Sequence, residues 1–407
     1  MSGPTCRACG AQLETTFADL GSTPLANSYL TAEQLARPEP RYPLHARVCD
    51  RCLLVQVEAA VAPEEIFSDY AYFSSYSESW VAHARHFAEG ARALLDLGPS
   101  SSVVEVASND GYLLQHFVAA GVPVLGVEPA ANVAEAARAR GVPTETGFFG
   151  AGTAEALDLQ ADLLVANNVL AHVPDLNDFV DGIRIALKPQ GVVSIEVPHL
   201  LRLIEGTQFD TIYHEHFSYF SVLAARHALA GRGIVVFDVE PLPTHGGSVR
   251  IWGCRAEADR EPTERMEAVL EQERAAGLDR LDTYERFPER VEERRRDVVE
   301  FFADARDAGL KVAGYGAAAK GNTFLNFCGL TSVDVPFVCD LSPHKQGLFL
   351  PGSHIPVLPP DALDDAQPDR IVLLAWNLAD EIVAQLARVR KWGARFVTTM
   401  PAVRDLG

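Results

Sequence analysis

The apolar positions change their spacing along the chain. After Val103, apolar runs of strand length alternate with amphipathic segments; the runs are SSVVEVA, VPVLGVE, ADLLVANN and VVSIEVP. A second alternation begins near residue 307, with LKVAGYGA, VPFVCD, RIVLLAWN and ARFVTTM as its strand-like runs. Apolar strands separated by helical periodicity are typical of a parallel sheet covered by helices. The pattern therefore predicts two α/β domains.

Two segments lie outside these alternations. Residues 257–306 are charge-rich with recurring apolar positions, which predicts one linker helix, or two with a break near Gly277 or Pro288. Residues 1–65 hold four of the seven cysteines. We expect a metal-binding module over 1–65, a central domain over 66–256, a helical linker over 257–306 and a Rossmann-like domain over 307–407.

Composition narrows the class of protein. The 407 residues include 35 Lys and Arg against 55 Asp and Glu, a net charge of −20 that disfavours contact with phosphate backbones. An apolar fraction of 48% is that of a globular protein, and no apolar run approaches the ~18 residues of a spanning helix. The beginning of the chain lacks the pattern of a signal peptide. We expect a cytoplasmic monomer that binds neither nucleic acid nor membrane.

The cysteines of the first module form two CxxC pairs, Cys6 with Cys9 and Cys49 with Cys52. Each pair places two thiolates on one side of a tight turn, and two pairs supply a tetrahedral S₄ site. Such a site has no open coordination position, so we expect structural Zn²⁺. A coincidental grouping of cysteines is the alternative.

The segment VVEVASNDGYLL is predicted to be a strand, a loop and the start of a helix. A dinucleotide site requires GxGxxG, but here Ala107 replaces the first glycine and Gly111 is the only one. Asp110 would repel a pyrophosphate and suits a ligand with an ammonium group, such as S-adenosylmethionine. An NAD site or an unoccupied loop is the alternative. The predicted cofactor-binding residues are Glu105, Ala107, Asn109, Asp110, Gly111, Glu128 (for the ribose), Asn167 and Asn168.

The segment TIYHEHFSYFS contains the densest group of reactive side chains. Strand alternation would place Tyr213 and Glu215 on one face and His214 and His216 on the other, whereas a turn would mix them. The segment could form a metal site, a general-base site or a hydrogen-bonded loop. His172 follows the strand that carries Asn167, so we expect it at the same sheet edge, as a site residue or as a structural histidine.

The second α/β domain opens with VAGYGAAAKGNTFLN, in which Gly316, Lys320 and Asn322 follow a strand and begin a helix. Exposed N–H groups and a lysine predict an anion cradle, with Lys320 on a diphosphate, although the spacing is not that of a P-loop. An unoccupied half of a Rossmann fold is the alternative. The other candidate substrate-binding residues are His245 and Ser248 in HGGS and three strand-end residues, Asp340, Trp376 and Asn377.

Together these motifs resemble the deoxysugar C-methyltransferases of antibiotic biosynthesis, in particular the tetronitrose-pathway enzymes that methylate C3 of a dTDP-linked 4-keto sugar. The resemblance covers essentially the whole chain; its motifs include FSDYAYFSSYSESW, EVASNDGYLL, NNVLAHVPD, YHEHFSYFS, HGGSVR and LLAWNLADEI. It implies a zinc-binding N-terminal domain, a central class I S-adenosylmethionine domain and a C-terminal Rossmann-like domain that binds the nucleotide-sugar. The active site would lie between the last two.

The resemblance also implies roles for individual residues. His216 would be the base that removes the proton next to the ketone, with His172 as its rival and His214 as a weaker third candidate. Tyr213 and His172 would donate to the enolate oxygen, and Glu215 would orient a histidine. The family's remaining tyrosine corresponds to Tyr70 or Tyr72.

The regiochemistry and two other classes of function stay open at this point. Methylation is expected at C3, although some relatives methylate C5. An O- or N-methyltransferase acting on a small metabolite would need no enolate donors. A zinc-ribbon binding protein with two catalytically idle domains would need no cofactor.

Overall fold

The architecture is that of a computed structural model, which describes residues 3–62 and 74–406. Its first sheet is antiparallel and has the strand order β1-β2-β3-β9. The bounds are β1 Thr15–Thr23, β2 Tyr42–Val48, β3 Val55–Val57 and β9 Ser218–Tyr219. The N-terminal module therefore takes its fourth strand from the segment that carries the Tyr-His-Glu-His motif, which the sequence did not predict.

The central sheet has seven strands in the order β10-β11-β8-β7-β4-β5-β6. The predicted runs form β4, β5, β7 and β8, and the pairs among β4 to β8 are parallel. The antiparallel strands β10 and β11 at one edge were not predicted. The bounds are β4 Val103–Val106, β5 Val124–Glu128, β6 Thr144–Thr146, β7 Ala161–Val165, β8 Leu187–Pro198, β10 Ile234–Leu242 and β11 Ser248–Arg255.

Seven helices accompany this sheet within the described residues. Ser77, Asp175 and Ser221 cap three of them, because each side chain accepts an N–H of the first turn. The bounds are α1 Glu78–Leu95, α2 Leu114–Ala119, α3 Ala131–Ala139, α4 Ala151–Ala156, α5 Leu176–Ala186, α6 Leu200–Gly206 and α7 Val222–Ala230.

The predicted linker is three helices, with breaks at 276–280 and at Arg286. They are α8 Glu264–Ala275, α9 Leu281–Glu285 and α10 Phe287–Asp307. Met266 of α8 joins the core of the central domain, and the Phe287 ring stacks on Phe17 of β1 at 4.3 Å between centroids. These helices are packed parts of the neighbouring cores, not a free connection.

The C-terminal sheet has the order β14-β13-β12-β15-β16-β17 and is parallel except for β17. Its predicted strands are confirmed as β12, β13, β15 and β16. The bounds are β12 Val312–Tyr315, α11 Ala319–Cys328, β13 Val338–Cys339, β14 Val357–Leu358, α12 Ala362–Ala366, β15 Arg370–Leu373, α13 Ala379–Gln385, β16 Arg395–Thr398 and β17 Arg404–Asp405.

The carboxyl end of β15 faces the central domain at a junction that we call the cleft. Trp376, just after this strand, donates its indole N–H to Asp210 at 2.6 Å. A Cβ on Gly246 would lie 2.4 Å from the Trp376 ring, so the HGGS loop also closes against the indole. None of the helices in the described parts of the chain is long and apolar enough to cross a membrane.

Candidate active site and metal centre

The four predicted metal ligands come together. The Sγ atoms of Cys6 and Cys52 are 3.5 Å apart, as are those of Cys9 and Cys49, and all four lie within 4.8 Å of one another. These separations suit a tetrahedral zinc site, in which Zn–S is about 2.3 Å. Each pair sits on a main-chain turn, closed by Gly10 N–H to Cys6 C=O and by Leu53 N–H to Cys49 C=O.

The loop after β4 is bent by left-handed residues: φ is 52° at Ala107, 48° at Asn109 and 77° at Gly111. A Cβ on Gly111 would lie 2.9 Å from the Val142 side chain, so this position requires glycine for both conformation and space. The loop is thereby drawn close to the packed core of the domain.

Asp110 already has an ion pair and a hydrogen bond within the protein, which the sequence did not predict. Its Oδ2 lies 2.7 Å from Arg140 and accepts the Ser75 hydroxyl, so its charge is already balanced. Its buried Oδ1 has no partner among the described residues. One oxygen of the carboxylate is therefore left for an ammonium group.

Glu128 ends β5, as predicted. Its two oxygens accept the N–H groups of Asn109 and Ala130, both at 2.9 Å, and burial raises its pKa. Glu105 lies alongside in β4; burial first, and then Glu128 and Asp110, raise its pKa well above the usual range. The raised pKa favours the neutral form of Glu105, and Glu128 is the carboxyl that faces the loop.

Asn167 and Asn168 follow β7 at the same edge. Asn168 adopts φ of 59°, and its main-chain N–H donates to the Glu196 carbonyl at 2.7 Å. Its buried Nδ2 has no partner among the described residues, while Asn167 accepts the Ser194 hydroxyl at 3.2 Å. An unpaired amide donor and an unpaired carboxylate oxygen around this loop fit a polar ligand such as S-adenosylmethionine.

Tyr213 and His216 meet across a turn. The Tyr213 hydroxyl lies 2.8 Å from His216 Nε2, and His216 Nδ1 lies 3.2 Å from the Thr211 carbonyl. A carbonyl only accepts, so Nδ1 carries the proton and Nε2 is the acceptor. Burial lowers the pKa of His216 well below its usual range, and His172 lowers it further. His216 is therefore a neutral imidazole whose Nε2 can take up a proton.

His172 lies beside it, with 4.7 Å between the two ring centroids. Its Nδ1 is 2.7 Å from the main-chain oxygen of Glu215, and burial lowers its pKa. Neutral His172 thus carries its proton on Nδ1 and presents an acceptor at Nε2. The expectation that His172 donates to an enolate oxygen is not supported, because that role needs a proton on Nε2.

The Glu215 side chain does not contact either histidine. It accepts the Asn27 side-chain N–H at 2.7 Å and the Asn27 main-chain N–H. Burial raises the pKa of Glu215 to about 7, and the Asn27 donors oppose this rise. The carboxyl was expected to orient an imidazole; instead the main-chain carbonyl of Glu215 does so, at His172.

His214 points away from the cleft, with its Nε2 3.2 Å from the Pro43 carbonyl. A turn, not strand alternation, therefore decides which side chains share a face. The four cysteines are the only group of metal-ligating side chains in the described part of the chain, so the metal interpretation of the HEH motif is not supported. Tyr70 and Tyr72 lie outside the described residues.

The glycine loop of the C-terminal domain is not an open anion cradle. Gly316 N–H donates to the Cys339 carbonyl at 2.8 Å, and Ala317 N–H donates to the Asp340 carboxylate at 2.7 Å. Ala318 N–H donates back to the Gly316 carbonyl. The N–H groups of Gly316 and Ala317 are thus already bonded within the domain, and the assignment of Gly316 and Asp340 to substrate stays a prediction.

Lys320 lies at the histidine end of the cleft. Its Nζ donates to Asn377 Oδ1 at 2.7 Å and sits 4.7 Å above the Trp376 ring. Burial lowers the pKa of Lys320, and the Asp210 carboxylate opposes that shift. The positive charge of Lys320 in turn lowers the pKa of His216. The structure thus brings Lys320, Trp376 and Asn377 together, close enough to His216 for the lysine charge to act on it.

The remaining predicted substrate residues fall into two groups, one exposed residue and two buried ones. His245 is exposed in the cleft, with its ring 5.2 Å from that of Trp80. Ser248 is buried and donates to the Thr244 carbonyl at 3.0 Å, and Asn322 is buried and donates to the Ala26 carbonyl at 2.6 Å. Ser248 and Asn322 therefore stabilise loops in this structure, and their assignment to substrate stays a prediction.

Sequence reasoning missed several cleft residues. Asp210 stands three positions before Tyr213, and this proximity was a usable signal. Trp80 and His83 lie one turn apart on α1, with rings stacked at 5.0 Å, and His83 is 3.2 Å from the Glu196 carboxylate. Asn27 carried no signal, because it stands 188 positions from the Glu215 it binds.

Known families match the chain in the order of these parts. A zinc binding domain matches residues 6–67, a methyltransferase domain residues 80–239 and a C-methyltransferase C-terminal domain residues 243–401. The class is therefore an S-adenosylmethionine-dependent methyltransferase with a zinc-binding N-terminal module, a central class I domain and a C-terminal α/β domain.

A relative defines the family further. The chain is 36% identical over 402 residues to C-methyltransferase NovU of Streptomyces niveus. The matched region covers 98% of this chain and 96% of that protein. The chain belongs to this family of C-methyltransferases.

Solved structures resemble the chain over less than half its length. One is an S-adenosylmethionine-dependent methyltransferase from Thermotoga maritima (20% identity, 45% of this chain and 95% of that chain, TM-score 0.34). Another is magnesium protoporphyrin IX methyltransferase from Synechocystis (13% identity, 47% and 88%, TM-score 0.34). At these TM-scores the similarity says nothing of function.

Proposed function

We propose that this enzyme methylates C3 of a nucleotide-linked 4-keto-deoxysugar through an enolate. The Tyr213–His216 pair carries the proposal, because a neutral imidazole and a hydroxyl in one cleft suit proton removal next to a ketone. C-methylation needs a carbon nucleophile, and the carbons flanking a ketone provide one. An O- or N-methyltransferase could also use the imidazole as a base, but it forms no enolate and needs no donor to an enolate oxygen.

His216 performs the first step of the proposed reaction. The C3–H bond breaks, the proton passes to His216 Nε2, and the electron pair is delocalised onto the ketone oxygen. Tyr213 occupies Nε2 before substrate binds, so the substrate displaces the hydroxyl. A positioned base typically contributes about 10²–10⁴ in rate.

The enolate oxygen needs a donor and a positive field. The displaced Tyr213 hydroxyl supplies the donor, and the Lys320 ammonium supplies the field, since its charge already reaches His216. S-adenosylmethionine, when bound, would supply an electrophilic methyl group: C3 would take it up as its bond to sulfur breaks, leaving S-adenosylhomocysteine and the reformed ketone. Glu128 holds the cofactor's ribose, and Asn168 and Asp110 offer it their unpaired polar atoms.

We assign the nucleotide, which the resemblance gives as dTDP, to the C-terminal domain. The beginning of α11 and the strand-end residue Asn377 border the same cleft as His216.

The test begins with a panel of 4-keto nucleotide-sugars and mass spectrometry of the products. Without methyl donor, the wild-type enzyme should exchange the proton at C3 with deuterated solvent. His216→Asn should bind both substrates, lose this exchange and lose about 10²–10⁴ in kcat. His172→Asn should keep part of the exchange.

Two results would change the assignment. Exchange that survives in His216→Asn but disappears in His172→Asn reverses the roles of the two histidines. Methylation at oxygen or nitrogen, without any exchange at carbon, rejects the enolate route.

A further inference from the structure

The first zinc knuckle contacts the catalytic segment, defined as residues 211–219. Arg7 stands between the ligands Cys6 and Cys9 and donates to the main-chain carbonyl of Phe217, next to His216. Its second terminal N–H group donates to the Val57 carbonyl at 2.9 Å. The guanidinium also lies 5.6 Å from the centre of the Phe217 ring. One arginine thus ties the knuckle to the segment by hydrogen bonds and by packing.

Strand pairing reinforces this contact. β3 of the zinc module pairs with β9 at Val55–Tyr219 and Gln56–Ser218, and Val57 N–H donates to the Phe217 carbonyl at 3.0 Å. The catalytic segment therefore ends as a strand of the zinc module's own sheet.

Gln56 of β3 connects this pairing to the zinc site. Its side-chain oxygen accepts the Arg7 main-chain N–H at 3.0 Å, and its Nε2 lies 3.3 Å from Cys6 Sγ. The side chain is buried. A change at the knuckle therefore reaches both Arg7 and the strand that pairs with the segment.

A second contact holds the other end of the motif. Asn27, also from the zinc module, donates its side-chain and main-chain N–H groups to the buried Glu215 carboxyl. Its neighbours continue to the C-terminal domain, where Asn322 donates to the Ala26 carbonyl at 2.6 Å and the Tyr29 hydroxyl donates to the Ala317 carbonyl.

We propose that the zinc module is a positioning element of the active site, which holds residues 213–217 in their reactive arrangement through Arg7 and Asn27. The inference rests on the proposed function only in taking Tyr213 and His216 as reacting groups. A displacement of about 1 Å at a reacting group can lower the rate about 10²-fold. Zinc bound to the knuckle therefore influences the chemistry without touching either substrate.

The test uses full-length, zinc-loaded protein with matched arginine variants. Arg7→Met removes the clamp, and Arg51→Met makes the same change in the second knuckle, where the side chain is exposed. We would measure zinc content, the Kd for S-adenosylmethionine and amide hydrogen exchange across 211–219. We would also measure kcat and KM with the 4-keto nucleotide-sugar that the wild-type enzyme methylates.

Arg7→Met should keep one zinc, leave Kd and KM within about twofold, and lower kcat about 10–100-fold. Amide exchange across 211–219 should accelerate. Arg51→Met should have the wild-type kcat and amide exchange. Arg7→Lys, which keeps one donor group, should have a kcat between those of Arg7→Met and the wild type.

Asn27→Leu is a second, independent test, because Asn27 is remote in sequence from the metal ligands. The exposed neighbour gives the matched control, Ser28→Ala. We expect the same split, with kcat lowered, KM retained and faster exchange across 211–219. This variant decides the question if Arg7→Met fails to retain zinc.

Wild-type hydrogen exchange and kcat in Asn27→Leu, or in an Arg7→Met protein that retains zinc, would overturn the proposal. A loss confined to KM would also overturn it, since that result indicates substrate contact. If the wild type methylates no 4-keto sugar, while exchange across 211–219 still accelerates in both variants, the proposed function fails and the positioning role stands.

Discussion

The Glu215 carboxyl is buried close to neutral pKa. Its pKa rises from 4.5 to about 7 because burial disfavours the charged form, despite the two Asn27 donors. The folded protein therefore binds this proton more tightly than the unfolded chain. The resulting contribution to stability is fully present below pH 4.5 and is lost as the pH rises through about 7. Ionised Glu215 thus opposes folding at pH 8.

Replacing this carboxyl should stabilise the protein at alkaline pH. The shift from 4.5 to about 7 corresponds to an upper limit of about 3 kcal/mol. Glu215→Gln should raise the free energy of unfolding by about 1–3 kcal/mol at pH 8, with little gain at pH 4.5. Calorimetry of both proteins at the two pH values measures the difference. A gain of equal size at both pH values would contradict the ionisation argument.

Lys320 should act on the reaction step more than on substrate affinity. Its ammonium sits over Trp376 and lowers the pKa of His216, so it lies near the charge that develops on the enolate. Lys320→Met should lower kcat about 10²-fold or more and leave the Kd for S-adenosylmethionine unchanged. Exposed Lys311→Met is the matched control. A change in KM without a change in kcat would instead support the contact between Lys320 and a diphosphate that the sequence predicted.

At the scale of elements, the end of β5 should determine cofactor affinity. Glu128 faces the loop after β4 and accepts the main-chain N–H groups of Asn109 and Ala130. Glu128→Ala should weaken S-adenosylmethionine binding about 10–100-fold, since charge-assisted hydrogen bonds contribute about 1.5–3 kcal/mol each, and should leave nucleotide-sugar binding nearly intact. Calorimetric titration measures both affinities.

The neighbouring strand offers a control for this change. Glu145 in β6 is exposed and pairs with Val127 of β5. Glu145→Ala should leave both affinities unchanged. Equal cofactor affinity in the wild type and in Glu128→Ala would remove Glu128 from the site.

At the scale of the whole molecule, zinc joins segments that are remote in sequence. Cys6 and Cys52 are 46 positions apart, and the sheet beside them includes β9 of the central domain. Cys49→Ser should lose zinc and destabilise the N-terminal module by at least about 3 kcal/mol, which lowers its melting temperature by about 10–20 °C. Metal analysis and calorimetry test this. A zinc-free variant with wild-type stability would refute a structural metal.

The sequence by itself determined the features that depend on local order. Apolar periodicity located the strands β4, β5, β7, β8, β12, β13, β15 and β16, because burial on both faces of a parallel strand requires continuous apolar residues. The spacing of the two CxxC pairs determined the metal ligands. Glu128 could be placed at the cofactor edge because the carboxyl ends of parallel strands share one side of a sheet.

Only the tertiary structure decided which partner each polar group takes. Asp210 and Trp376 are 166 positions apart, and Asn27 and Glu215 are 188 apart. A turn, not strand alternation, joined His216 to Tyr213 and turned His214 away. The glycine loop lost its expected anion cradle because Asp340, from the next strand, accepts the Ala317 N–H. A buried donor binds the nearest acceptor in space, and no spacing along the chain specifies which residue that will be.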